Sequence, residues 1–259
     1  MQSSLISPAK ATATDGPLVV AVIRQSGDVR ATRRHRHARG QLLGAVHGLL
    51  SVDAASSRWV VPATHAVWIP PDVSHGLRSH GTFAGWSVYV VPSACGELPD
   101  TPCILAMSGL LREAVTRAAS WTDDALDTAQ ARLAGVILDE IRTAPQVALG
   151  LPMPQDARLL KIAQALSDRP DDGRGLEAWA EWVGIAPRTL TRRFVAETGF
   201  SFSAWRQRVR LLRSLELLAA GRSVKMIALD LGYDNVSAFI AAFRRTFRVT
   251  PRRYEALIR

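Results

Sequence analysis

Two stretches near the C-terminus repeat one another, and a duplicated unit restricts the fold more than any single motif does. Ala180 and Ala228 lie 48 residues apart, as do Gly184 and Gly232. Leu190 and Phe239, Phe194 and Phe243, Ser201 and Thr250, and Trp205 and Tyr254 each lie 49 apart, so the second copy carries one extra residue just after its glycine. Each copy reads as a short helix, a glycine-bearing turn and a second helix. In the first, "LEAWAEWVG" supplies the short helix; Ala180 is small enough for close approach, and Gly184 can take positive φ at the helix end. "APRTLTRRFVAETG" then begins with Pro187, suited to a first helical turn, and ends at Gly199. Leu190 and Phe194, four apart, face inward, which leaves Arg188, Thr191 and Arg192 outside. In the second copy "SVKMIALDLGYDN" precedes "VSAFIAAFRRTFRVTP", where Phe239, Phe243 and Phe247 form the inward stripe and Ser237, Ile240, Ala241 and Arg244 lie outside.

A helix-turn-helix places the start of its second helix at base edges in the DNA major groove, and the planar fork of arginine matches the two acceptors of guanine. The candidate DNA contacts are Arg188, Thr189, Thr191, Arg192 and Arg193 in the first unit, and Asn235, Ser237, Ala241, Arg244 and Arg245 in the second. The second set is short of bidentate groups on its outer face. The first unit is therefore expected to read sequence, and the second to touch phosphate and the thymine methyl. Between them "SFSAWRQRVRLLRSLELLAAG" has Val209, Leu212 and Leu215 on one side and Arg206, Arg208, Arg210 and Arg213 around the rest, as a rigid spacer would. A helical bundle with a solvated basic surface is the rival reading. Charge bears on the choice: residues 1–157 hold 13 Lys+Arg and 13 Asp+Glu, residues 158–259 hold 19 and 10, so the whole net charge of +9 belongs to the second segment. A basic module joined to a neutral one suits polyanion binding.

The run from "LEAWAEWVG" to "VTP", above all "SVKMIALDLGYDNVSAFIAAFRRTF" with its following "TP" and "Y", resembles the DNA-binding domain of the AraC/XylS family of bacterial transcription regulators. The resemblance covers about the last hundred residues and implies two helix-turn-helix units entering successive major grooves on one face of DNA. One position departs from the family pattern: a glycine usually stands between the last phenylalanine and "VTP", and here it is Arg248.

Upstream, residues 1–16 are rich in Ser, Ala and Thr without periodicity and are expected to form a flexible tail. From residue 17 to 95, short apolar runs such as "PLVVAVIR", "RWVVP", "HAVWIPP" and "FAGWSVYVVP" alternate with turn signals, as in a small antiparallel barrel. Residues 104–143 have apolar positions at helical spacing, Leu133, Ile137 and Ile141 among them, and are expected to form a helical pair that either joins two subunits or packs on its own barrel. Residues 144–156, rich in proline, are the expected linker, and residues 157–259 the DNA-binding domain, with its units at about 176–197 and 224–247. The fold class expected is two domains: an all-β barrel, cupin-like by the resemblance of its histidine motifs to those of that family, followed by helices, then an all-α domain with two helix-turn-helix units.

The barrel reading sharpens at "RRHRHARGQ", Arg33 to Gln41. His35, His37, Gln41 and Gly48 follow the spacing of the first cupin motif, with glutamine where metal-binding members have glutamate, and "PPDVSH" resembles the second motif around His75, with Asp72 in place of its glycine. Such a domain commonly serves these regulators as a sensor. His35 and His37, at i and i+2 on a strand, project to one face, and His75 from a neighbouring strand could complete a group of three. Three imidazoles with a carboxamide can hold a divalent metal; they can equally line a metal-free pocket for a small effector, or be ordinary structural histidines. Trp68, in a predicted strand, joins His35, His37, Gln41 and His75 as an effector-pocket candidate, with the core as its alternative place.

No catalytic residue is assigned. The expected partners are double-stranded promoter or operator DNA, a small-molecule effector, RNA polymerase and a second copy of the chain. A metal-dependent cupin enzyme with incidental DNA binding is the alternative, and Gln41 in place of glutamate weighs against it. Cys95 and Cys103, seven residues between them, form no metal-binding or disulfide pattern. No apolar run approaches the roughly 18 residues of a membrane span, and "MQSSLISPAK" lacks the layout of a signal peptide, so a cytoplasmic, nucleoid-associated bacterial protein is expected.

Overall fold

The computed structural model describes residues 6–26, 31–54, 57–122, 125–147 and 150–258. The chain divides into two compact units, Met1–Ala55 with Trp59–Gly150, and Ser56–Arg58 with Leu151–Arg259.

The first unit opens with a short helix, α1 (Pro8–Thr12), whose cap Ser7 accepts a hydrogen bond from the Lys10 amide. Its strands are β1 (Val19–Ser26), β2 (Gly40–Ala54), β3 (Ser57–Pro62), β4 (His65–Ile69), β5 (His75–Val90), β6 (Cys103–Ala106) and β7 (Gln146–Val147). They lie in the order β1-β5-β2-β4-β6-β7, antiparallel, with β3 against β2. The spine is the β2–β5 pair, running from Gly40 opposite Val90 to Ala54 opposite His75 with register shifts around Val46 and Gly48. Such bulges bend and twist a strand, and Gly48 supplies the positive φ of 84° needed there.

Alternation then sorts the side chains into two layers. Leu43, Ala45, Val67, Ile69 and Ile104 pack with Val61 and Phe83 on one face. Leu42, Ala66, Trp68, Trp86, Val88 and Leu105 point the other way and are covered by α2 (Gly109–Ala118) and α3 (Thr128–Thr143) through Leu111, Val115, Ile137 and Ile141. A capping box fixes where α3 begins: Asp127 accepts from the Gln130 amide, and the Gln130 side chain accepts from the Asp127 amide.

Three expectations need correction. The sheet does not end near residue 95, because "CILA" forms β6 against β4; four apolar residues are too few for periodicity to tell a strand from the helix that follows. The segment 144–156 is not wholly linker, since β7 pairs with β6. Nor are residues 6–16 a loose tail: Ile6 and Ala11 are buried in a cluster with Tyr89. Residues 1–5 of that expected tail lie outside the described residues.

The second unit is helical: α4 (Ala157–Asp168), α5 (Leu176–Trp182), α6 (Pro187–Thr198), α7 (Phe202–Ala219), α8 (Val224–Asp230), α9 (Val236–Phe247) and α10 (Pro251–Ile258). Residues equivalent in the sequence repeat do equivalent work. Ala180 and Ala228 are fully buried. Gly184 and Gly232 both take φ of 68°, and the next residue's amide in each turn donates back to that alanine's carbonyl at 3.0 Å. Phe194 meets Trp205 edge-on at 5.4 Å, and Phe243 meets Tyr254 at 5.7 Å. Gly199 ends α6 in the left-handed region at φ 74°, and Arg248, 49 residues later, ends α9 there at φ 62°. In the spacer helix α7, Arg206 and Arg210 turn back rather than outward. They donate to the carbonyls of Arg174, Asp172 and Pro170, and so fasten the α4–α5 loop.

Candidate functional site

In the first unit the three histidines of the two motifs come together. His35 and His75 form a two-residue bridge, each amide donating to the other's carbonyl at 2.9 and 2.8 Å, and β2 brings Gln41 beside them. The ring centroids of His35 and His75 are 4.5 Å apart and those of His37 and His75 5.1 Å; one ligand atom from each of the three rings lies within 4.8 Å of the others. His75 is 1% exposed and His37 also buried, whereas His35 is half-buried.

The hydrogen-bond partners fix the chemistry of the group. Each Nδ1 faces a backbone carbonyl: His35 that of Arg33 at 2.9 Å, His37 that of Arg39 at 2.7 Å, and His75 that of Val73 at 2.8 Å. A carbonyl only accepts, so each Nδ1 carries its hydrogen and each Nε2 of a neutral ring is left with a lone pair. Burial holds His37 below its ordinary value and pushes His75 down to about 4, so both rings are neutral near pH 7. The Gln41 carboxamide lies between them, one terminal atom 3.2 Å from His37 Nε2 and 3.0 Å from His75 Nε2, the other 3.0 Å from Ser87 Oγ. Neutral rings require a donor at the shared end. The amide NH₂ meets both lone pairs when its carbonyl accepts from the Ser87 hydroxyl, an orientation that a simple flip of the amide supplies. A glutamate, with no N–H, could not do this.

Trp68 does not join the group. It pairs with Leu42, one position out of phase with the Gln41–Ile69 pair, so its indole points into the helix-covered layer and donates to the Pro99 carbonyl at 2.8 Å. Three residues not singled out in the sequence do contribute. Ser87 and Tyr89 lie on β5 across from β2, and the Tyr89 ring meets His37 at 5.4 Å. A polar Ser at an alternate position of "WSVYVV" was the available signal. Arg39, by contrast, reads as part of a basic run yet is buried, donating to the carbonyls of Pro17 at 2.9 Å and Asp15 at 2.5 Å. Nothing in the local spacing marks it.

In the second unit α6 buries Leu190, Phe194 and Thr198, and α9 buries Phe239, Ala242 and Phe243. Arg188, Thr191, Arg192 and Arg193 on α6 are exposed and Thr189 is half-buried; Ser237, Ala241, Arg244 and Arg245 on α9 are exposed. Some of these already have partners. Thr191 Oγ1 donates to the Pro187 carbonyl, Asn235 caps α9 by accepting from the Ala238 amide, and Arg193 is ion-paired with Asp156.

The model of the AraC-like ligand binding domain matches residues 17–169, and that of a helix-turn-helix domain matches residues 179–256. The chain belongs to the AraC family of transcription regulators. Its relatives include the HTH-type transcriptional regulator NimR of Escherichia coli, 34% identical over 223 residues that cover 86% of this chain and 81% of NimR. The HTH-type transcriptional regulator RipA of Corynebacterium glutamicum is 37% identical over 125 residues, 48% of this chain and 36% of RipA. As an AraC-family regulator the chain combines a ligand-binding domain with a DNA-binding helix-turn-helix domain. None of its described helices is long and apolar enough to cross a membrane. The two places where its sequence lacks an AraC or cupin glycine, Asp72 and Arg248, are the two non-glycine residues with positive φ among those described, at 60° and 62°. The backbone has kept the glycine conformation at both.

Proposed function

We propose that the group formed by His35, His37, Gln41 and His75 is the effector pocket of this regulator, and that its occupant is a small polar molecule read by ring nitrogens and carboxamide. The observation that carries this is the sharing of one amide end by two buried, neutral imidazoles. Their lone pairs take whatever donor is offered, so a ligand hydroxyl or N–H can replace Gln41 without burying an unpaired acceptor. Full-length protein screened by thermal shift against small polar metabolites should yield a stabilising ligand whose effect disappears in His37→Phe, which removes one of the two ring nitrogens that receive it. Undiminished stabilisation in that variant would place the effector elsewhere.

On the DNA side, Arg188 and Arg192 of α6 read bases, and α9 contributes Arg244 and Arg245 to phosphate and Ala241 to a thymine methyl. Arg193, Thr189, Thr191, Asn235 and Ser237 complete the contact surface. The regulator acts on promoter DNA as a homodimer in the bacterial cytoplasm, meets RNA polymerase there, and has no catalytic role. Effector binding changes its DNA affinity by a coupling that must be reciprocal.

A second reading rests on the convergence of the three ring nitrogens. Released from the Gln41 amide, the Nε2 atoms of His37 and His75, with the converging ring of His35, fit a divalent ion of the later first transition row, and the neutral Gln41 carbonyl is a weaker fourth partner than a carboxylate. Such an ion would supply a Lewis-acidic anchor for an oxygen or nitrogen of the ligand. Metal analysis of protein purified without chelators separates the readings: stoichiometric metal lost in His75→Gln supports the second, and its absence the first.

A further inference from the structure

The chain enters the second unit at Leu151 and is bonded to its DNA-reading apparatus almost at once. The Pro152 carbonyl accepts from Trp205 Nε1 of α7 at 2.7 Å. The amides of Gln155 and Asp156 donate to Glu197 of α6 at 2.7 and 2.9 Å. One helical turn earlier on the same side of α6, Arg193 is ion-paired with the Asp156 carboxylate. That carboxylate has other partners: it accepts from the Arg158 amide at 2.9 Å as the cap of α4, and its second oxygen lies 3.3 Å from Arg158 Nη2. Arg188 and Arg192, by contrast, make no ion pair among the described residues.

We propose that Arg193 is a switched DNA contact, withheld from phosphate by Asp156 at the point where the chain enters the DNA-binding unit. This rests on the assignment of α6 as the base-reading helix. Asp156 is mostly covered while Arg193 is 44% exposed, so the acid is the fixed partner and the arginine the one free to leave. An ion pair this exposed is weak, worth at most about fivefold in an equilibrium constant, and a phosphate can compete for the guanidinium. Asp156 is not stranded by the exchange, since Arg158 and two amides remain. Its carboxyl is held down to about 2, chiefly by Arg158, so it stays charged whichever partner it has. Glu197 holds residues 155 and 156 against α6, so Asp156 stays beside Arg193 while those two bonds persist and can leave it only when the entering segment, residues 151–156, pulls them apart. The position of that segment sets whether α6 meets DNA with or without a third arginine.

The test uses full-length protein and a duplex that the wild type enriches from a random-sequence library. Asp156→Asn keeps the helix cap and removes the charge, and Asp156→Ser is a second capping variant should the first fold poorly. Either should bind two- to fivefold more tightly and steepen the slope of log affinity against log salt by about 0.9, the value of one added phosphate contact. Arg193→Ala should cancel both gains in the double variant, because they act through that side chain. A gain that survives in Asp156→Asn/Arg193→Ala is general charge relief and overturns the proposal. Unchanged affinity and slope in Asp156→Asn, with Arg192→Ala still weakening the same duplex, overturns it alone. If Arg192→Ala also has no effect, the assignment of α6 falls, and the proposal with it.

Discussion

Arg248 and Asp72 occupy backbone conformations that cost an L-residue with a Cβ roughly 1 kcal/mol or more, and glycine nothing. At Arg248 the repeat supplies its own control, since Gly199 ends α6 in the same conformation at the equivalent position. Arg248→Gly should raise the unfolding free energy by about 1 kcal/mol, less the extra freedom glycine gives the unfolded chain, and Gly199→Arg should lower it by a similar amount. Urea unfolding of the two variants checks this; a loss of stability in Arg248→Gly would show that its side chain contributes more than its backbone costs. His75 has a sharper dependence on conditions. Its folded value of about 4 lies below the ordinary 6.5, so between those limits the unfolded chain binds the extra proton and stability rises with pH. The contribution is complete above pH 6.5 and is lost as pH falls through 4, with a full span of roughly 3 kcal/mol. Thermal unfolding from pH 7 to pH 4 should therefore fall less steeply in His75→Gln than in wild type; parallel curves would mean that His75 titrates normally when folded.

The helices of the second unit were legible because their signals are local. Pro187 starts α6, the phenylalanine stripe marks α9, and the spacing of the repeat places both turns. The imidazole group was legible for another reason: i, i+2 spacing on a strand is a statement about faces. What sequence could not supply was strand phase across the sheet. Trp68 and Ile69 look equally fit to line a pocket, and only the pairing of Gln41 with Ile69 decides that Trp68 faces the helices. β6 and β7 escaped because a four-residue and a two-residue strand carry no measurable period. The difference between α6 and α9 predicts how their arginines should fail. Arg192→Ala should cost about 1–3 kcal/mol on the preferred duplex and relax preference at one base position. Arg245→Ala should weaken binding on all sequences alike and reduce the salt slope by about 0.9. Binding-site selection with each variant would overturn the division of labour if Arg245→Ala, and not Arg192→Ala, changed the preferred sequence.

Charge is divided in the molecule much as function is. Residues 1–157 are neutral overall and residues 158–259 carry +9, yet the densest basic run, "RRHRHAR", stands in the neutral half. The structure explains how it can be basic without serving DNA. His35 and His37 turn toward His75, Arg39 is buried against carbonyls near the start of the chain, and Arg34 donates to the Ser74 carbonyl at 3.4 Å. Within the run, Arg33 and Arg36 are left exposed without a side-chain hydrogen bond among the described residues, two charges flanking the imidazole group rather than a surface built for a polyanion. The C-terminal half should then carry the whole counterion release on binding. Full-length Arg33→Ala/Arg36→Ala should keep the wild-type slope of log affinity against log salt, where removal of two genuine phosphate contacts would flatten it by about 1.8. A flattened slope in that variant would return the run to the DNA-binding surface, and would require the sensor's own barrel to lie against DNA when the regulator binds.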